Sequence, residues 1–221
     1  LIATKASRIA YASEGRAVAE FGARRAQGYD AAVLGARAAY IGGVNSTSNT
    51  MTGYAFDVPV SGTMAHSFIQ FYDSEYDAFA DYARSNPDNC IFLVDTYNVL
   101  KQGVPNAIKV AKDVLEPMGK RLKAVRLDSG DLTYLSQETR RMLDEAGLED
   151  CEITVSNSLD ENAIRDLIAN AAKIDSFGVG ERLITSRSEP VFGGVYKLTG
   201  VEQADGSVRP SMKLSETLAK I

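Results

Sequence analysis

Apolar residues fall along this chain in short runs separated by amphipathic stretches. The runs are Ala39–Val44, Val58–Met64, Cys90–Asp95, Ala124–Leu127, Ile153–Val155 and Ser176–Val179. Each is too short for a buried helix and reads as a strand. Helical periodicity lies between them, over Ser67–Ser85, Pro105–Met118, Leu132–Ala146 and Leu159–Ala172. Gly147 is placed as a C-terminal cap, and Ser158 and Asp160 open the last helix. The first stretch, Thr4–Gln27, is rich in Ala, Arg and Glu and predicts one long helix. Strands that alternate with helices predict an α/β fold with a parallel sheet.

Every run ends in polar residues or glycine. A parallel sheet or barrel carries its chemistry at the C-terminal ends of its strands. Successive ends of this kind favour a (β/α) barrel with one convergent site over an open doubly wound sheet. The tail differs: two β-like runs flank Asp205-Gly206, a hairpin signal. The expected division is a partial barrel over 1–193 and a β-hairpin tail over 194–221.

Bulk properties narrow the function. A net charge of -5 without like-charge blocks argues against nucleic acid or an anionic membrane as partner. No apolar run approaches the roughly 20 residues of a membrane span. Cys90 and Cys151 form no CxxC pair, and each lies beside an apolar run, as expected of buried thiols in a reducing cytoplasm. The chain opens at Leu1 directly on a predicted helix, as a piece of a longer protein or a processed product would.

The candidate chemistry sits at the strand ends. His66 is the single histidine. One imidazole is too little for a zinc site, which leaves a nucleophile, an acid/base or a structural hydrogen bond. Asp95 is placed to orient a neighbouring histidine, or to cap a turn. Arg126 and Asp128, two apart on one strand, share a face. The guanidinium suits a carboxylate or phosphate, and Asp128 and Asp131 suit a ribose diol or Mg²⁺, unless they serve as a salt bridge and a helix cap. Asn157 and the Gly178-Val179-Gly180-Glu181 loop offer backbone to a phosphate, or simply turn the chain.

Taken in order, these segments resemble the nicotinate phosphoribosyltransferase family. Phe21-Gly22-Ala23-Arg24-Arg25 is similar to its FGxRR segment, and Gly42–Asn49 to its glycine–serine segment. Gly62–Phe68 is similar to its phosphohistidine segment. Leu93–Tyr97, Val125–Leu132, Val155–Glu161, Phe177–Gly180 and Gly193–Leu198 follow in register, so the resemblance covers nearly the whole chain.

The resemblance implies the type II phosphoribosyltransferase fold. It implies nicotinate, 5-phosphoribosyl 1-pyrophosphate and ATP as substrates, with Mg²⁺, and coupling through a phosphorylated His66. Asp95 would orient His66. Arg126 would meet the nicotinate carboxylate and Phe21 would stack on the ring. Arg24 would contact phosphate, and Asp128 would bind ribose or Mg²⁺. Asn157, Gly178, Gly180 and Glu181 would hold the 5-phosphate, and Asn45 would face the base. Glu181 departs from the small hydroxyl residue expected there. The family's N-terminal domain, which completes the base pocket across a homodimer, is not in this chain, so the piece alone is expected to be nearly inactive. A nicotinamide or quinolinate enzyme of the same fold and a non-catalytic barrel piece are the alternatives.

Overall fold

The computed structural model describes residues 1–194 and 196–211. It divides into two compact units, Leu1–Pro190 and Val191–Ile221. The expected tail beyond residue 211 lies outside the described residues.

The first unit alternates helices and strands. In chain order they are α1 (Ile2–Ala12), β1 (Ala17–Glu20), α2 (Tyr29–Ile41), β2 (Ser46–Thr47) and α3 (Thr50–Phe56). Then come α4 (His66–Gln70), α5 (Glu75–Ser85), β3 (Ile91–Leu93), α6 (Val104–Val110), β4 (Ala124–Leu127) and α7 (Leu132–Glu145). The last are β5 (Glu152–Val155), α8 (Glu161–Ala169), β6 (Ser176–Val179) and α9 (Glu181–Ile184). The strands form one parallel sheet in the order β2-β1-β6-β5-β4-β3. A single bridge, Thr47 to Val60, extends it at the β2 edge. Val60 beyond one edge and Ile91 of β3 at the other line the same cavity of about 270 Å³. The sheet is therefore curled into a partial barrel.

Alternation decides which residues face inward. Ile153 and Val155 of β5 are buried under the helices, while Glu152 and Thr154 line the barrel interior. Inside, hydroxyls satisfy one another: Thr154 Oγ1 lies 2.8 Å from Ser176 Oγ, and Ser46 Oγ lies 2.6 Å from Ser61 Oγ. Outside, Phe79 of α5 stacks on Phe92 of β3 with centroids 4.5 Å apart.

Several expectations need correction. Thr4–Gln27 is not one helix. Glu14 and Gly15 turn the chain at φ 52° and 83° after α1, and the next residues join the sheet as β1. Pairing with β6 along all four residues outweighs the helical preference of alanine there. Ala39–Val44 is not a strand. α2 continues to Ile41, Gly43 reverses the chain at φ 102°, and the strand proper begins at Ser46. Val58–Met64 contributes only the bridge at Val60. Ser67–Ser85 breaks in two, because the Ser74 side chain caps a new helix by accepting from the Asp77 N–H at 3.1 Å.

In the second unit β7 (Gly200–Glu202) pairs antiparallel with β8 (Val208–Pro210) across Asp205-Gly206. The Asp205 carboxylate accepts from the Ser207 N–H at 3.0 Å within that turn. This is the expected hairpin.

Candidate active site at the strand ends

The C-terminal ends of the strands surround two adjoining hollows of about 430 and 160 Å³, which share Phe21, Arg24, Arg126 and Asp128. His66 and Ser48 line the larger. Asn157, Gly178, Gly180 and Glu181 line the smaller. Most of the expected site residues therefore converge.

Arg126 stands at the centre. Its Nε donates to Ser156 Oγ at 2.9 Å, one terminal nitrogen to Thr63 Oγ1 at 2.7 Å, and the other to Asp128 Oδ1 at 3.4 Å. The guanidinium carbon lies 5.2 Å from the centre of the Phe21 ring. Of the five N–H groups of a guanidinium, two remain for a ligand. The Ser156 hydroxyl also donates to Asp128, so strand ends β4 and β5 are cross-linked.

His66 is the first residue of α4, not a strand terminus. Its Nδ1 lies 3.0 Å from Thr96 Oγ1. Its Nε2 lies 3.9 Å from Asp95 Oδ1 and 3.8 Å from Asp128 Oδ2. The Asp95 side chain is almost wholly buried. Its Oδ2 accepts from the Asp128 N–H at 3.0 Å and from the Ser129 hydroxyl at 2.6 Å. Its Oδ1 is buried without a hydrogen bond, and His66 Nε2 faces it at 3.9 Å. A buried carboxylate oxygen left unpaired is costly, and an N–H on His66 Nε2 is the donor placed to relieve it.

The smaller hollow is walled by backbone. Asn157 and Ser158 sit at φ 93° and 50°, a left-handed conformation that costs non-glycine residues about 1–3 kcal/mol and clusters at functional sites. Glycine is required at 178, where a Cβ would lie 2.6 Å from the Phe21 ring. Arg182 of α9 donates to Asp160 at 2.7 Å and so ties the loop after β6 to the loop after β5. Glu181 is exposed and pairs loosely with Arg25 at 3.5 Å and Arg187 at 3.9 Å.

Two expected residues do other work. Asn45 precedes β2, at the opposite end from the mouth, and accepts from the Val18 N–H at 2.8 Å. It does not face the base hollow; Ser48, three residues on, does. Asp131 caps α7, accepting from the Thr133 and Tyr134 N–H groups at 3.1 Å. Glu20, which sequence reasoning passed over, is fully buried at the end of β1. Burial holds its carboxyl above the ordinary range, opposed by hydrogen bonds from Thr47 and Gly22. Cys90 and Cys151 are buried free thiols, each pushed up to about 12 by burial, and so are inert as nucleophiles at neutral pH.

Among the described residues no three His, Cys, Asp or Glu side chains are grouped to hold a metal ion. None of the described helices is long and apolar enough to cross a membrane.

The model of the nicotinate phosphoribosyltransferase (NAPRTase) family matches residues 17–205, the span from β1 to the hairpin. The chain belongs to that family. It is 49% identical to the nicotinate phosphoribosyltransferase of Bacillus subtilis over 223 aligned positions, covering 100% of this chain and 44% of that protein. Among solved structures, human nicotinic acid phosphoribosyltransferase superposes with a TM-score of 0.76 at 30% identity, over 81% of this chain and 47% of that one. The nicotinate-nucleotide pyrophosphorylase of Pyrococcus furiosus superposes with a TM-score of 0.70, also at 30% identity, over 84% of this chain and 46% of that one. The chain thus spans somewhat under half the length of these relatives.

Proposed function

We propose that the full-length protein transfers the phosphoribosyl group of 5-phosphoribosyl 1-pyrophosphate to the ring nitrogen of nicotinate, giving nicotinate mononucleotide and pyrophosphate in NAD salvage. The observation that carries this reading is Arg126, held by three side chains and lying over Phe21 with two N–H groups free. A planar cation beside an aromatic face suits a flat ring that bears a carboxylate.

In the reaction the pyridine nitrogen forms a bond to ribosyl C1 while the bond from C1 to the pyrophosphate oxygen breaks. Positive charge grows on the sugar and negative charge on the leaving group. Arg24 lines both hollows and is placed to neutralise the leaving group. The left-handed loop at Asn157-Ser158 and the backbone at Gly178 and Gly180 fit the 5-phosphate.

Asp128 Oδ1 is engaged by Arg126 and Ser156, which leaves Oδ2 for a ribose hydroxyl or for Mg²⁺. One protein carboxylate fits a magnesium ion that is held mainly by the diphosphate and water. When bound, that ion would supply charge neutralisation at the leaving group.

His66 is the proposed phosphorylation site for ATP coupling. Asp95 and Asp128 draw the ring N–H to Nε2, so Nδ1 carries the lone pair and attacks the γ-phosphorus of ATP, releasing ADP. The Thr96 hydroxyl, 3.0 Å from Nδ1, orients the ring beforehand and releases that lone pair as the bond to phosphorus forms. The remainder of the full-length protein, in a homodimer, completes the base pocket, and the 221-residue chain alone turns over little. In a thermal-protection assay on the full-length protein, nicotinate should protect more than nicotinamide or quinolinate. Stronger protection by either of those would point to the corresponding enzyme of the same fold. After incubation with ATP and Mg²⁺, His66→Ala should lose an acid-labile phosphoryl label that the wild type takes up.

A further inference from the structure

We infer that Glu20 is a positioning residue that sets the base end of the cleft by latching the turn after β1 to the turn after β2. Glu20 and Thr47 point away from the barrel interior, onto the helix-covered face of the sheet, and both are fully buried. One carboxylate oxygen accepts from the Gly22 N–H, and the other accepts from the Thr47 hydroxyl at 2.6 Å. Thr47 Oγ1 in turn accepts from the Asn49 N–H at 3.0 Å. The Glu20 backbone carbonyl accepts from the Ser48 N–H at 2.9 Å.

The latch therefore grips both residues that flank Phe21 and both that flank Ser48. Phe21 and Ser48 follow the paired strands β1 and β2 and form adjoining walls of the larger hollow. Glu20 is fully buried and lines neither hollow, so it acts only through the spacing of those walls. A purely structural link would be cheaper to build from apolar residues, because burying a carboxylate here raises its pKa and costs stability.

Gly22 adds a steric reason for the position. A Cβ there would lie 2.5 Å from Ile184 and 2.8 Å from the Glu20 carboxylate itself, so the turn fits its latch without slack.

The inference rests on the reading of this hollow as the base pocket, and the test separates the two. Thr47→Val, Thr47→Ser and Glu20→Gln are made in the full-length enzyme. The readouts are KM for nicotinate, KM for 5-phosphoribosyl 1-pyrophosphate, kcat and the melting temperature. Losing a hydrogen bond to a charged group should raise the nicotinate KM about tenfold in Thr47→Val and Glu20→Gln. The phosphoribosyl substrate's KM should stay within about twofold, as expected when only one substrate's contacts are disturbed. Thr47→Ser keeps the hydroxyl and should behave as wild type. Equal losses on both substrates, or a lower melting temperature with the nicotinate KM unchanged, would overturn the latch. If Glu20→Gln does not fold, the two Thr47 variants decide alone. A wild-type enzyme that does not convert nicotinate overturns the functional reading and the latch with it; an active wild type with an unaltered Thr47→Val overturns the latch only.

Discussion

Gly178→Ala is the sharpest perturbation of the cleft that leaves every polar group in place. Gly178 lies in β6 with its missing side chain aimed at Phe21. An added Cβ would lie 2.6 Å from Phe21 Cε2, 2.7 Å from Cδ2 and 3.3 Å from Ser156 Cβ. Ordinary carbon contacts are about 3.5–4.0 Å, so the ring must retreat by roughly 1 Å. Overpacking of this kind costs about 1–3 kcal/mol of stability. A 1 Å displacement of a substrate-positioning group costs on the order of a hundredfold in rate. Arg126 rests over that ring, so its orientation shifts too. The expected result is a fall of about ten- to a hundredfold in kcat/KM for nicotinate, with a smaller change for the phosphoribosyl substrate. Pyrophosphate release by the full-length enzyme measures it, and a melting curve confirms folding. Phe21→Leu should cost less in the Gly178→Ala background than alone, because the smaller side chain relieves the overlap. A folded Gly178→Ala with an unchanged nicotinate KM would refute Phe21 as the ring platform.

Other outcomes follow from the same geometry. Arg126→Lys keeps the charge but loses the fork that reaches Thr63, Ser156 and Asp128; titration calorimetry should show nicotinate affinity falling by about tenfold or more. Ser48→Asp should repel the carboxylate of nicotinate and favour the amide, so competition assays should show the preference for the acid narrowing by about tenfold. Glu75 is buried, with one carboxylate oxygen unpaired and the other accepting from Asn106 at 3.0 Å. Burial raises its pKa, the Asn106 bond opposes this, and the Asp95 charge raises it further. The folded state then holds more protons than the unfolded one above the ordinary carboxylate range, and stability falls as pH rises through that window. Glu75→Gln removes the fall, so its melting temperature should exceed that of wild type near neutral pH and the gain should vanish at acid pH.

Much of the architecture was legible because β4 and β6 are compact apolar runs bounded by polar residues, and the structure keeps their bounds. β1 was not, because Ala-Val-Ala-Glu suits a helix locally and becomes a strand only by pairing with β6 over its whole length. β2 has two residues, too few for any periodicity to register. That short strand explains the one displaced site residue. With the strand misplaced at Ala39–Val44, Asn45 stood at its C-terminal end; with the strand at Ser46-Thr47, that place belongs to Ser48. Asp131 illustrates a different limit, since a carboxylate that opens a helix reads alike as a cap or a ligand until its N–H partners are seen. Arg126, Asp128 and Asp95 were legible as residue types at strand ends and His66 as the single histidine, but the contacts among His66, Asp95 and Asp128 join segments distant in sequence and exist only in the fold.

The most direct measurement is product formation by the purified full-length protein. It is supplied with 5-phosphoribosyl 1-pyrophosphate, ATP, Mg²⁺ and one pyridine base at a time, and the nucleotide products are separated by chromatography. The account predicts nicotinate mononucleotide with nicotinate, far less product with nicotinamide or quinolinate, and loss of product in Arg126→Ala. No nicotinate-dependent product, or a faster reaction with either other base, would contradict it.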